Sequence, residues 1–158
     1  MTNIGDLLGE KADILARNSI RVGDVHMLPL GQNEGITPKD GQNEREKFFV
    51  VLGFDAEGNV IGGIVINSNI NYNLPPAVTD YMMKVTVGQL PFLSHDSFIN
   101  CSRLKTVRKD KFGKSTLRGS INDESLMELI IGTVIESPYA NKQQLREFGI
   151  LKEGQSND

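Results

Sequence analysis

Two short polar clusters hold the residues of this chain best suited to chemistry. The first, G-Q-N-E-R-E-K, sets Arg45 and Lys47 at the entrance to an apolar strand, with Glu44 beside them. The second, V-I-N-S-N, sets Asn67 and Ser68 at the exit of the next strand, ahead of Asn69, Asn71 and Asn73. A guanidinium is a planar fork that grips two oxygens of a phosphate at once, whereas an ammonium acts as a point charge. Either one, held in place, stabilises negative charge as it develops in a reaction. The amides and the hydroxyl add further hydrogen bonds. The same letters also fit a plainer reading. Charges at a strand entrance are ordinary and energetically cheap, and asparagines make turns. Tyr72, in the second loop, could stack on a base or simply anchor the loop by packing.

Charge is distributed unevenly. The chain carries a formal −3 over 158 residues, which argues against a general nucleic-acid binder. Within residues 103–118, however, Arg103, Lys105, Arg108, Lys109, Lys111, Lys114 and Arg118 face one acid, Asp110. Seven cations against one acid make that segment +6 and leave −9 for the rest. Such a cluster suits phosphates or an acidic partner, and equally a solvated surface.

Other chemistries find little support. His26, His95 and Cys101 form no metal-ligand pattern, and no phosphate loop or dinucleotide fingerprint occurs, so no cofactor is expected. His95-Asp96-Ser97 has the letters of a catalytic triad, but neighbouring side chains on an extended segment point apart. Asp96 and Ser97 fit a turn before a strand instead. One cysteine cannot form an internal disulfide, which fits a reducing cytoplasm. Cys101 itself reads as a buried small hydrophobe. No apolar run approaches the ~20 residues of a membrane helix, and no secretory signal is evident at the N-terminus.

The elements that must position these residues follow from periodicity. Ile4, Leu7, Leu8, Lys11, Ile14 and Leu15 predict an amphipathic helix over 4–17, capped by Thr2 or Asn3, that covers the chain's own core or, less commonly, packs on a partner. A strand follows, with Val25 and Met27 on one face and His26 on the other. Gly31 to Glu46 reads as a long polar loop. Lys47–Phe54 and Val60–Ile66 form a hairpin turning through Asp55–Asn59, and the first of them is apolar enough to be buried on both faces. Gly62 and Gly63 inside the second strand call for a bulge, a bend or a close backbone approach. A second polar loop spans Ser68–Asp80. Strands are expected over Tyr81–Val87, Ser97–Arg103, Thr106–Lys111 and Ser115–Arg118. A helix begins at Asn122 or Asp123 and stops at Pro138, and a short one covers Asn141–Phe148 with Gly149 closing it. Glu153–Asp158 is a polar tail. Ile130, Ile131 and Val134 exceed one narrow stripe, which suggests a homodimer. Composition is ordinary for a globular chain, 39% apolar and 23% charged, and the length suits one domain. Its expected parts are an N-terminal helical extension (1–20), a β region (21–120) and C-terminal helices (121–150).

Three segments resemble the MazF/PemK toxin family. R-V-G-D-V-H-M-L-P-L is similar to the family's opening strand, in which G-D-[VI] follows a basic residue. G-Q-N-E-R-E-K-F-F-V-V-L is similar to its Gly-Ser-Glu-Gln loop, which leads through an Arg-Pro pair into an apolar strand. H-D-S-F-I-N-C-S-R-L-K-T-V-R-K-D-K-F resembles its D-S-[VF]-[IV] strand with the basic segment that follows. Together they span roughly residues 21–135. The resemblance implies a mainly β fold with α: a small, strongly bent antiparallel SH3-like barrel of five to seven strands, with N- and C-terminal helices. It implies metal-independent endoribonuclease activity on single-stranded RNA, in which the RNA's own 2′-hydroxyl attacks the adjacent phosphate. By position, Arg45, Lys47, Ser68 and Asn67 would be catalytic, and Arg103, Lys105, Arg108, Lys109 and Tyr72 would bind RNA. The chain departs from the family where Lys47-Phe48 replaces the Arg-Pro pair; Arg45 lies two residues earlier. Asn67 and Ser68 stand where the family places a catalytic Thr or Ser. The implied partners are a second copy of the chain and an antitoxin with a disordered acidic tail. The alternative is a non-catalytic RNA- or protein-binding module on the same fold.

Overall fold

Phe49 and Val51 bury on one side of a central strand, and Val50 and Leu52 on the other. Strand side chains alternate, so a run with no polar residue must lie between two cores. The computed structural model of the protein describes residues 4–37 and 43–152. Six strands build one sheet: β1 (Asp24–Gly31), β2 (Glu44–Phe54), β3 (Val60–Asn67), β4 (Met82–Val85), β5 (Ser97–Arg108) and β6 (Leu117–Ser120). Every pairing is antiparallel, in the order β4-β5-β3-β2-β1-β6. The expected hairpin is β2–β3, with its turn closed by Asn59 and Val60 backbone N–H groups donating to Asp55 Oδ1.

The sheet is open, not the strongly bent SH3-like barrel expected from the sequence. Closure requires the two outer strands to share a ladder. Here β4 pairs with β5 and β6 with β1, and each of these outer strands is four residues long. The two cores account for the closure that was expected. Helix α3 (Glu124–Glu136) sets Leu126, Ile130 and Val134 against Val50, Ile64 and Ile99, and α4 (Lys142–Glu147) adds Leu145. On the opposite face Phe49, Val51, Val65 and Val107 meet Ile20, Ile36 and Phe112 from connecting segments.

Several boundaries move. Arg45 is a strand residue paired with Leu30, not part of a flexible loop. A 3-10 turn at Gln32–Glu34 follows β1, while Pro38, Asp40 and Gly41 of the expected loop lie outside the described residues. The strands expected at Ser97–Arg103 and Thr106–Lys111 are one, β5, and Lys109–Lys111 is a 3-10 turn. The loop after β3 contains a single helical turn, α2 (Pro76–Thr79), begun by a proline whose missing N–H costs nothing there. Asp123 caps α3 by accepting from Ser125 and Leu126 N–H, a contact worth about 1 kcal/mol. Of the α3 residues that suggested a dimer face, Ile130 is fully buried, Val134 nearly so, and Ile131 is half-buried against the same core. Thr2, Asn3 and Glu153–Asp158 lie outside the described residues.

Helix α1 (Ile4–Asn18) forms where its periodicity places it, but it does not cover the core. Ile4, Leu8 and Leu15 are 76%, 62% and 66% exposed. Among the described side chains, its C-terminal end is tied down, by Arg17 Nε donating to Phe112 O and by Lys109 Nζ donating to Asn18 Oδ1. Both faces of the sheet already pack apolar residues from elsewhere in the chain, so the core does not require this helix.

The paired glycines sit where β3 is irregular. A Cβ on Gly63 would stand 2.1 Å from Val50 O and 2.6 Å from the Phe49 ring, and one on Gly53 would stand 2.1 Å from Phe148 O. Register shifts occur at both places, between Val51 and Gly53 and between Gly63 and Val65. Gly63→Ala is therefore expected to destabilise by about 3 kcal/mol or more, because backbone must move. Gly132→Ala in α3, where nothing lies within 4 Å, is expected to stabilise by about 0.5–1 kcal/mol through helix propensity. Denaturant midpoints of the two variants check both signs.

His26 is buried edge-on against Phe112. Thr116 Oγ1 donates to Gly113 O, so His26 Nδ1 carries the proton that reaches Thr116 Oγ1 at 2.8 Å. Nε2 is left buried with no partner among the described residues. Burial outweighs the nearby Asp24 and holds the pKa below the ordinary 6.5. The contribution of neutral His26 is thus complete above about pH 6.5 and is lost as pH falls through the lower folded value. Unfolding midpoints should fall on acidification below that point, and His26→Phe should flatten the decline.

Candidate anion-binding groove

β2 and β3 present alternate residues on one face, and Lys47 lies beside Asn67 across the ladder. Lys47 Nζ donates to Asn67 Oδ1 at 2.8 Å. Asn100 of β5 joins this face opposite Val65. Arg103 and Lys105 would ordinarily fall on the other face, being an odd number of residues away. They do not, because two residues of β3 (Val65 to Gly63) are spanned by five of β5 (Asn100 to Lys105). The bulge reverses the alternation. Cys101, next to Asn100, packs into the helix-covered core, and beyond the bulge Lys105 returns to share the groove with Asn100.

The result is a groove of about 640 Å³ lined by Arg45, Lys47, Arg103 and Lys105, with Asn67, Asn71, Asn100, Ser102 and Tyr139 between them. A second hollow of about 470 Å³ shares Arg45, Lys47 and Asn67 and adds Ser68 and Asn69. The two polar clusters of the sequence therefore meet, as their positions suggested. Four cations line the larger groove, and no described acidic residue lines it. Such a lining attracts anions.

Each cation is held differently. Arg45 makes no hydrogen bond or ion pair with the described residues, which leaves its fork open to a ligand. Lys105 Nζ donates to Gly35 O at 3.2 Å; burial, aided by Arg103, lowers its pKa from the ordinary lysine value. The Arg103 guanidinium lies 4.1 Å over the Tyr139 ring, a cation–π contact. Tyr139 is kept there by the α3–α4 turn: Ser137 Oγ donates to Ser102 O and accepts from Tyr139 N–H. Ser102 in turn donates from N and Oγ to Asn100 Oδ1, at 3.0 and 2.6 Å.

The rest of the basic segment is dispersed. Arg108 pairs with Asp110, and Arg108 and Lys109 line a different hollow with Arg17 and Asn18. Lys111 bridges Glu44 at 2.9 Å and Glu34 at 3.5 Å. Burial opposes its charge, but the two carboxylates outweigh burial and raise its pKa. Glu44 is thereby held at Lys111 rather than in the groove. Tyr72 is 80% exposed. At the would-be triad, Ser97 Oγ donates to His95 O and lies 3.3 Å from His95 Nδ1, while the Asp96 carboxylate accepts from Val87 N–H and it is the Asp96 backbone O that lies 3.0 Å from His95 Nδ1. Cys101 is fully buried, and burial pushes its thiol up to about 12, which excludes it as a nucleophile near neutral pH.

Asn100, Ser102 and Tyr139 are the groove residues that sequence reasoning missed. A polar Asn100 alternating with Ile99 and Cys101 was a weak local signal. Nothing local pointed to Tyr139, which arrives from a turn 36 residues beyond Arg103. No family model matches the chain, and no curated protein matches it in sequence. No described helix is long and apolar enough to cross a membrane.

The two lysines with opposite shifts make a test. At pH 8–9 the amine of Lys105 should be acylated faster than that of Lys111 by a small lysine-directed reagent, because more of it is neutral. Arg103→Ala should slow Lys105 labelling, since removing the neighbouring charge raises its pKa. Site-resolved mass spectrometry measures both rates.

Proposed function

We propose that the groove binds the phosphate backbone of single-stranded RNA and promotes metal-independent cleavage. The observation that carries this reading is four cations converging on one open groove that no described acid lines. The resemblance to MazF/PemK toxins adds the reaction. The RNA 2′-hydroxyl attacks the adjacent phosphorus, a 2′,3′-cyclic phosphate forms, and the 5′-oxygen leaves with a proton. Arg45, whose fork has no partner among the described residues, is suited to the two nonbridging oxygens as their charge grows. Lys47 adds a point charge from a position fixed by Asn67. Ser68 and the Asn67 amide supply donors beside them. Arg103 and Lys105 extend the positive surface along the strand. An acidic antitoxin segment would compete for the same four cations, and a second copy of the chain is the other partner that the resemblance implies.

A second reading, a binding module without cleavage, is favoured by one feature: no described imidazole or carboxylate lines the groove to carry protons. Mixed-sequence RNA incubated with the purified protein in EDTA separates the two. Cleavage is expected, and Arg45→Ala should slow it by about 10²-fold. Binding of single strands should weaken with salt at a log–log slope of about −2.8 for four phosphate contacts, and each lost cation should remove about 0.7 of it. RNA that binds with this slope yet stays intact selects the second reading. RNA that neither binds nor breaks removes both.

A further inference from the structure

The amides of the groove all face the same way chemically. Asn67 Oδ1 accepts from Lys47 Nζ, Asn71 Oδ1 from Asn73 N–H, and Asn100 Oδ1 from both Ser102 N–H and Ser102 Oγ. Each donor is an ammonium, a backbone amide or a hydroxyl tied to one of them, so the orientation of all three side-chain amides is determined. Their carbonyls are committed within the protein. Their NH2 groups make no hydrogen bond with described residues, and the three asparagines line the groove together with Arg103.

The Arg103 guanidinium carbon sits 4.1 Å from the centroid of the Tyr139 ring, and Tyr139 is 38% exposed. A guanidinium held in this way offers its outer face as a stacking surface, and flat cations and aromatic rings are the usual platforms for unstacked bases. The amide donors then surround the edge of whatever stacks there.

We propose that Arg103 on Tyr139, with the outward amides of Asn71 and Asn100, forms a base-reading subsite that selects keto bases, uracil and guanine, over the amino bases cytosine and adenine. This rests on the reading of the groove as an RNA site. The chemical reason is one of matching. Uracil O4 and guanine O6 are acceptors that an amide NH2 satisfies. Cytosine N4 and adenine N6 carry hydrogens, which would face another donor and lose their water without a replacement. Phosphate binding by the four cations is indifferent to the base, so selectivity comes from the amide end of the groove.

The test uses three labelled 12-mers of equal charge: oligouridine, oligocytidine and an abasic strand. The 2′-oxygens of the two base-bearing strands are methylated so that cleavage cannot interfere. Fluorescence anisotropy at one salt concentration gives each affinity. Oligouridine should bind at least about fivefold more tightly than oligocytidine, and more tightly than the abasic strand. Tyr139→Ala should weaken oligouridine about fivefold and leave the abasic strand unchanged. Asn100→Asp keeps the acceptor for Ser102 but turns the outward donor into an acceptor, so the uridine-to-cytidine ratio should fall to one or invert. A thermal melt confirms that each variant is folded, and Asn100→Asp stands if Tyr139→Ala is not. Equal binding of all three strands overturns the subsite and keeps the RNA reading. An unchanged ratio in Asn100→Asp, or an equal loss for all strands in Tyr139→Ala, also overturns the subsite. If no strand binds, the RNA reading falls and the subsite falls with it.

Discussion

Gly63 packs its backbone against Val50 O at a distance that leaves no room for a side chain, and the rest of the groove depends on that contact. The close approach lets β3 change register against β5, so that five residues of β5 pass two of β3. Regular pairing would send Arg103 and Lys105 to the face that α3 and α4 cover. Two charges buried in that apolar core would cost several kcal/mol each. The bulge leaves Cys101 facing inward and brings the two cations alongside Arg45 and Lys47.

A concentration of four like charges is itself unfavourable, and the structure limits the cost in recognisable ways. Arg103 spreads its charge over an aromatic face. Lys47 donates to the Asn67 amide, which helps fix its position. Lys105 answers by a lowered pKa. Meanwhile the acids nearest in sequence are kept elsewhere: Glu44 and Glu34 close on Lys111, and Glu46 points away from the face of Arg45 and Lys47. The remaining repulsion is what an anionic ligand would relieve, and polar carbonyls tied up inside the protein leave that ligand to meet donors.

The exposed α1 shows the same logic from the other direction. Its apolar stripe was readable, and a stripe normally finds a core. Both faces of this sheet are already closed, by α3 and α4 on one side and by Ile20, Ile36 and Phe112 on the other. A helix can be correctly predicted and its packing still be wrong, because packing depends on what other segments have filled.

Local signals determined the elements. The apolar run of β2, the turn at Asp55–Asn59, the Asp123 cap and the burial of Cys101 each follow from residues within a few positions of one another. The glycine pair announced an irregularity, but not its size or direction. Sequence order also placed the Arg45–Lys47 and Asn67–Ser68 clusters at adjoining ends of one hairpin, which is why they meet. The openness of the sheet, the union of Arg103 and Lys105 with that pair, and the arrival of Tyr139 were decided only by tertiary structure. Each depends on register between strands or on a turn far along the chain, and a shift of one residue in register exchanges the two faces of a strand. A composition that is acidic overall therefore folds to one positive groove, which no count of charges along the chain could locate.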